Sequence, residues 1–235
     1  MKKLKAVTFS FDDGIEQDKQ LIEILDRYNL KCTFNINSGW LGRHYAHKAM
    51  LFGKDTHFDI HRIPKDEIAD VYKNHEVAAH SVTHPMLSEL PDNEVIAELN
   101  DDAITLEEIT GQKVFGFAYP SGNVDARVAK LIGDNTDLYY GRTAKSSHSF
   151  DLPKNLMMFD PTLSHRELDE RERLADEFLA LEPDRPQMFY IWGHSYEMIN
   201  NEIWQGFERF CEKLAGRNDI FYGTNNEVFK YFGLK

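Results

Sequence analysis

Short β-type runs alternate with amphipathic segments along the whole of this 235-residue chain, so that a period of two gives way repeatedly to one near 3.6. The runs predict strands at residues 6–11, 32–37, 76–79, 114–119, 138–142, 188–192 and 220–222. Helices are predicted between them at 18–28, 65–74, 93–109, 124–132, 167–181, 202–214 and 226–232. Several carry start and stop signals. Pro64 precedes the second, Asp92 can cap the third, Gly111 lies just beyond that helix, and Thr224 with Glu227 three residues on makes a capping-box pattern. No Pro/Ser-rich linker, low-complexity tract or repeat divides the chain, so residues 1–235 are expected to form one domain. Such alternation argues for a parallel α/β architecture, and a (β/α) barrel of seven or eight units is its simplest closure.

Residues 39–63 break the pattern. They show no clear period, yet they hold His44, His47, His57 and His61. Long irregular stretches often line sites, and four histidines invite a metal cluster, but their uneven spacing is more economically that of a polar surface loop.

Composition narrows the function. A hydrophobic fraction of 42% suffices for a substantial core. Acidic residues outnumber basic ones by 39 to 27, and Lys and Arg are scattered instead of forming a stripe, which argues against a nucleic-acid partner. Cys32 and Cys211 lie far apart in apolar runs without metal-ligand spacing and read as buried thiols. The basic start, Met1-Lys2-Lys3-Leu4-Lys5, leads into a short run that contains Thr8 and Ser10 and ends in two aspartates, which is the pattern of a first strand and not of a signal peptide. No apolar stretch approaches the roughly 18 residues of a membrane span. A soluble, cytoplasmic protein without a membrane partner is expected.

Chemistry concentrates at the predicted strand ends. Asp12 and Asp13 follow the first strand, His80 the third, Tyr119 the fourth and Arg142 the fifth, while His194 stands just past residues 188–192. In β/α barrels that edge carries the active site, so these residues are expected to meet in space. Successive strand side chains point to opposite faces, so Asp12 and Asp13 have different tasks unless the backbone bends, which Gly14 permits. His80 and His84, four apart, suit one metal ion from a helix turn or a tight loop. Each feature alone has a plainer reading: ten histidines readily yield such a pair, and a turn-capping Asp beside a solvated one explains the dyad. Together, two histidines and one carboxylate make a three-ligand site with a position left for water, as metal-assisted hydrolysis requires. Asp13 is the obvious third ligand, and Asp12 would remain free as a base.

In order and spacing, Ser10-Phe11-Asp12-Asp13-Gly14, His80-Ser81-Val82-Thr83-His84, Tyr119-Pro120-Ser121-Gly122 and His194 resemble four of the five motifs of the polysaccharide deacetylases. These are the NodB-like, metal-dependent enzymes of carbohydrate esterase family four. The resemblance implies a distorted (β/α) barrel and a hydrolase that removes acetyl groups, commonly N-acetyl, from a carbohydrate. Its partner would be an acetylated saccharide and its cofactor one divalent metal ion, usually zinc. The resemblance further implies that Asp13, His80 and His84 hold the metal and that Asp12 is the general base. It places the backbone N–H of Tyr119 beside the oxyanion and makes His194 the acid that protonates the departing amine, a role suited to an ordinary pKa of about 6.5.

The chain departs from the family pattern in two places. Many members have an Arg two or three residues before the proline of the third motif, where it orients the base, and Phe117-Ala118-Tyr119 offers none. Arg142 either supplies that cation from another direction or is an exposed loop residue. The Asp and Trp pair that supports the acid histidine is unrecognisable, and Trp192 and Glu197, flanking His194, are the expected replacements. Trp40, Tyr45, Trp192, Tyr196 and Trp204 could stack against sugar faces. Two other functions compete: an amide or cyclic-imide hydrolase of the same family, and a catalytically silent carbohydrate-binding barrel. Retention of Asp12 and His194, which binding alone does not need, argues against the second. The N-terminus favours a small soluble saccharide over intact cell wall.

Overall fold

In the first strand, β1 (Lys5–Asp12), the side chains sort strictly by parity. Val7, Phe9 and Phe11 join an apolar cluster with helix residues such as Leu21, Phe207 and Phe210. Thr8, Ser10 and Asp12 turn the other way and bond to Asn225, Asn35 and Arg142. The period of two thus separates an outer face covered by helices from an inner face that is polar at Thr8, Ser10 and Asp12 and apolar at Ala6, which joins a second buried cluster with Tyr140, Met188 and Phe229.

The computed structural model describes residues 2–235. Within them, β1 is followed by β2 (Cys32–Ile36), β3 (His44–Leu51), β4 (Lys54–His61), β5 (Glu76–Ala79), β6 (Gly116–Ala118), β7 (Tyr140–Arg142), β8 (Leu163–Ser164), β9 (Gln187–Gly193) and β10 (Ile220–Tyr222). The helices are α1 (Asp18–Arg27), α2 (Ile68–Val71), α3 (Asp92–Thr110), α4 (Ala126–Asn135), α5 (Leu168–Ala180), α6 (Asn201–Leu214) and α7 (Asn225–Phe232). All strands but β3 and β4 form one curled parallel sheet in the order β7-β6-β5-β2-β1-β9-β8. One flank of β1 pairs with β9, and the other is shared by β10 along Lys5–Val7 and β2 along Phe9–Asp12. The seam between the edge strands β7 and β8 is filled by the irregular residues 156–162. There the Gly141 N–H donates to the Leu156 carbonyl at 2.7 Å, that of Thr143 to Phe159 at 2.9 Å, and that of Thr162 to Tyr190 at 3.0 Å. An irregular stave in place of a strand is what distorts the (β/α) barrel.

All seven predicted strands are present, and β8, two residues long, is an addition to them. Gly111 ends α3 in the left-handed region, and Thr224 and Glu227 form the capping box of α7. Asp92 is the first residue of α3 and makes no side-chain cap, which Pro91 precedes. Both cysteines are buried free thiols. Among the described residues, no helix is long and apolar enough to cross a membrane.

Residues 39–63 differ from the expected polar surface loop. Most of them form an antiparallel hairpin, β3–β4, registered from His44↔His61 to Leu51↔Lys54. Phe52 and Gly53 turn it with φ of 50° and 75°, the two left-handed residues that a two-residue type I′ turn requires. Its period lies in burial and not in hydrophobicity: His44, Ala46, Lys48 and Met50 are exposed, and the intervening Tyr45, His47 and Ala49 are half-buried. Both faces therefore carry histidine, and the strand signal cancels. An alanine at Gly53 would meet no atom within 4 Å, so Gly53→Ala is expected to cost only conformational energy, about 1 kcal/mol. Faster hydrogen exchange of the β3 and β4 amides, with barrel amides unchanged, is the measurement that checks it.

Candidate active site

The C-terminal edge of the curled sheet gathers the chemistry. Asp12 ends β1, and Asp13 follows it; His80 follows β5, Tyr119 β6 and His194 β9, while Arg142 ends β7. Asp12, Asp13, His80, His84, Tyr119 and His194 line one cavity of about 350 Å³. Trp40, Tyr45, Trp192 and Tyr196 line it too, whereas Trp204, on α6, packs in the core and not at the site.

Asp12 is held from two sides. Arg142 Nη2 donates to both carboxylate oxygens, at 2.5 Å to Oδ2, and Asn35 Nδ2 donates to Oδ1 at 2.8 Å. The Arg142 and Asp12 side chains are only 2% and 4% exposed, and the Trp192 ring lies 4.7 Å from the guanidinium carbon. Arg142 is therefore not an exposed loop residue; it faces Asp12 from β7.

The dyad is asymmetric. The bend falls on Asp13 itself, at φ 90°, with Gly14 following at 63°. Asp13 Oδ1 is buried without a hydrogen-bond partner. Around it stand Arg62 Nη1 at 3.1 Å and His80 Nε2 at 3.9 Å, and Oδ2 lies 3.9 Å from His194 Nε2. Burial alone would raise the Asp13 pKa, but Arg62, His194, His80 and His84 outweigh it and hold the carboxyl well below the ordinary range.

His80 Nδ1 lies 2.8 Å from the Ala118 carbonyl. A carbonyl only accepts, so Nδ1 carries the proton and the Nε2 lone pair faces Asp13. Burial pushes the His80 pKa down to about 4 and lowers that of His84 as well, which keeps both rings neutral near pH 7. Their loop is tight and not helical, with φ of 64° at Ser81 and 57° at His84. Buried Asp102 pins it by accepting from the N–H groups of His80 and Ser38 at 2.8 and 2.7 Å, and Asn37 Nδ2 donates to the His80 and Ser81 carbonyls. One ligand atom from each of Asp13, His80 and His84 falls within 4.8 Å of the others. An ionised oxygen that accepts no hydrogen bond, beside two neutral imidazoles, is a donor set that fits a divalent cation.

Glu197 faces His194, as its place in the sequence suggested. Its buried Oε1 lies 3.2 Å from His194 Nδ1, an ion-pair distance at an angle short of a hydrogen bond. Its Oε2 accepts from the His194 N–H at 3.2 Å and pairs with His165 Nε2 at 2.9 Å. Burial lowers the His194 pKa, but Glu197, Asp13 and Asp12 more than offset this and raise it to about 9. Trp192 packs edge-on to the ring at 5.7 Å. Gly193 is needed here, because a Cβ at that position would sit 1.9 Å from His165 Cδ2.

Tyr119 departs from expectation. Its N–H donates to the Arg142 carbonyl at 2.9 Å in the β6–β7 pairing, so this amide is engaged in the sheet and unavailable to an oxyanion. Pro120 has no N–H, and that of Gly122 donates to the Tyr119 carbonyl at 3.0 Å. The remaining amide of the turn belongs to Ser121, a cavity-lining residue at φ 57°.

Asn35, His165, Arg62 and Asp102 are among the site residues that escaped the sequence reading. Asn35, a polar side chain inside the apolar β2, was the one with a signal. His165 follows a two-residue strand, too short to see. Arg62 follows the hairpin and donates through Nη1 to the Asp13 carbonyl and to Asn37 Oδ1, and through Nη2 to the Tyr45 hydroxyl.

Residues 2–136, more than half of the chain, match the family model described as polysaccharide deacetylase. The chain belongs to the polysaccharide deacetylase family. No curated protein matches it. Among solved structures, this polysaccharide deacetylase chain is similar to a CE4 family pseudoenzyme from Bacillus anthracis, with 19% identity over 97% of this chain and 66% of that one and a TM-score of 0.59. It is also similar to the Xyl-CE4 domain of a multidomain xylanase from the hindgut metagenome of Trinervitermes trinervoides, with 17% identity, 99% and 92% coverage and a TM-score of 0.60. A third is the family 4 carbohydrate esterase from Streptomyces lividans in complex with acetate, with 15% identity, 93% and 91% coverage and a TM-score of 0.57. At these identities the likeness is one of fold, and the chain spans 66% of the length of the first.

Removing one partner of a buried ion pair strands the other charge. Arg142→Met is therefore expected to destabilise the protein by about 3–5 kcal/mol, read from urea unfolding, with an unchanged midpoint as the contrary result.

Proposed function

We propose that this member of the family is a metal-dependent hydrolase that removes acetyl groups, N-acetyl groups first, from a carbohydrate. One observation carries the reading: Asp12 clamped by Arg142, the Asp13–His80–His84 donor set, and His194 backed by Glu197 meet in a single cavity. A pseudoenzyme stands among the structural relatives, so the presence of both proton-handling residues beside a complete donor set is what favours catalysis here.

Asp13, His80 and His84 would hold one divalent cation, with zinc the first choice for two neutral imidazoles and a carboxylate. When bound, that ion supplies a polarised carbonyl and a water of lowered pKa. Asp12 takes the proton from the attacking water, and the bonds from Arg142 and Asn35 aim its carboxylate. The Ser121 N–H takes the place expected for that of Tyr119 as backbone donor to the developing oxyanion. His194, cationic at neutral pH and held by Glu197, gives its proton to the amine nitrogen as the C–N bond breaks. Trp40, Tyr45, Trp192 and Tyr196 offer flat apolar faces to the sugar.

Three outcomes test this reading. Metal analysis should find one divalent ion per chain, lost in His80→Ala and in His84→Ala; equal occupancy in the variants sinks the ligand assignment. Asp12→Asn should keep its metal while acetate release from acetylated saccharides falls by about 10²–10⁴-fold; undiminished turnover removes Asp12 as the base. Glu197 raises the His194 pKa, and an acid works only while protonated, so activity is lost as pH rises through that pKa. Glu197→Gln should move the alkaline limb of kcat/KM to lower pH, and a limb that stays in place separates Glu197 from the acid.

A further inference from the structure

The hairpin β3–β4 crosses the open edge of the barrel from one side to the other. At its root, Arg62 bridges to Ile15, the Glu16 N–H donates to the His61 carbonyl at 2.9 Å, and the Ile63 N–H donates to the Gly14 carbonyl at 3.0 Å. These bonds fasten it beside the end of β1. Midway, the cross-strand partners His47 and Phe58 close on Tyr196, in the loop after β9, with ring centroids 5.7 and 5.4 Å away. At the turn, Phe52 lines a second cavity of about 340 Å³ with Ser164, Arg166, Ala144 and Trp192. Ala144 and Trp192 also line the cavity that holds Asp12 and Asp13, so the tip reaches the loops beyond β7 and β8.

The two faces of the hairpin differ as those of a cover do. Tyr45, His47 and Ile60 line the catalytic cavity, and Leu51 and Ile60 are each 1% exposed. His44, Ala46, Lys48 and Met50 point to solvent, Met50 with 62% of its surface exposed. An acetyl group inside a polymer reaches a catalytic centre only if the sugar units on both sides can leave in opposite directions, which needs a groove open at both ends. Here the contact of His47 and Phe58 with Tyr196 joins the cover to the loop after β9, and its tip, through Phe52, shares a cavity with Ala144 beyond β7. The cavity of about 350 Å³ is at the small end of the roughly 300–1,000 Å³ of ligand pockets, room for one acetylated sugar ring.

We propose that β3–β4 is a roof that admits a free acetylated sugar or a chain end and excludes the interior units of a polymer. The inference rests on the carbohydrate reading above and adds the part of the substrate that enters. Hairpin residues act here as determinants of specificity and take no part in the chemistry.

The test uses the full chain loaded with zinc. Acetate release is measured from N-acetylglucosamine and from a linear N-acetylglucosamine oligomer of six units, with mass spectrometry locating each deacetylated unit. Hydrogen exchange of the β3 and β4 amides is recorded on the same protein without substrate. Terminal units should react faster than interior ones by on the order of 100-fold, with the hairpin amides protected. A chain from which Ala46 to Asp59, cross-strand partners, have been replaced by two glycines should gain at least tenfold on interior units, as should Phe58→Ala, which breaks the contact with Tyr196 from outside the cavity lining, if the shortened chain does not fold. Interior units reacting as fast as terminal ones in the intact protein would overturn the roof and leave the deacetylase reading standing. Acetate from neither substrate would overturn the deacetylase reading, and exchange then decides the roof alone: protected amides keep it, and amides exchanging at the rate of an open chain remove it.

Discussion

A carboxylate buried at the mouth of a barrel must be compensated, and that requirement shapes the top of this fold. Asp12 heads a polar column inside the sheet, in which Thr8 bonds to Asn225, Asn225 to Tyr190, and Ser10 to Asn35. Left unpaired, its charge would cost several kcal/mol. The compensation comes from β2 through Asn35 and from β7 through Arg142, two strands held in place by β5 and β6 between them. The Trp192 ring from β9 then covers the guanidinium. One ionised group thus ties four strands to one geometry, and the same bonds leave it aimed into the cavity.

The site separates like groups by what stands behind them. Two adjacent aspartates diverge because the backbone turns at Asp13, so that one meets Arg142 and the other meets Arg62 and the histidines. Two histidines diverge in the same way. His80 has a backbone carbonyl behind its Nδ1 and stays neutral, the state its proposed part as a ligand needs; His194 has a carboxylate there and becomes cationic, the state its proposed part as an acid needs. The supports are as particular as the groups they serve: Asp102 for the His80 loop, His165 for Glu197, and Gly193 for the space His165 occupies.

Family-typical supports are absent from their usual places, yet the physical demands are met from elsewhere. The cation on Asp12 arrives from the end of β7, and the carboxylate on His194 from three residues further along the chain. The proposed oxyanion donor is the exception to simple replacement. Parallel pairing of β6 with β7 uses the Tyr119 amide, and the proline after it has none, so the turn has only its next residue to offer.

Local pattern alone was enough to reveal seven strands, the long helices and the strand-end positions of Asp12, Asp13, His80, Arg142 and His194, because period and strand ends are properties of neighbouring residues. It concealed β3–β4, where histidines on both faces erased the alternation, and β8, where two residues carry no period. Whether Arg142 guards Asp12 or lies in solvent was open in the sequence, and 130 residues separate the pair. Arg62 touches Asp13 across 49. The sequence by itself determined which chemical groups stand at the strand ends. The tertiary structure decided which of them are paired, neutral or charged, because partners that far apart are set by the order of strands in the sheet and by the crossing of the hairpin, neither of which any local period encodes.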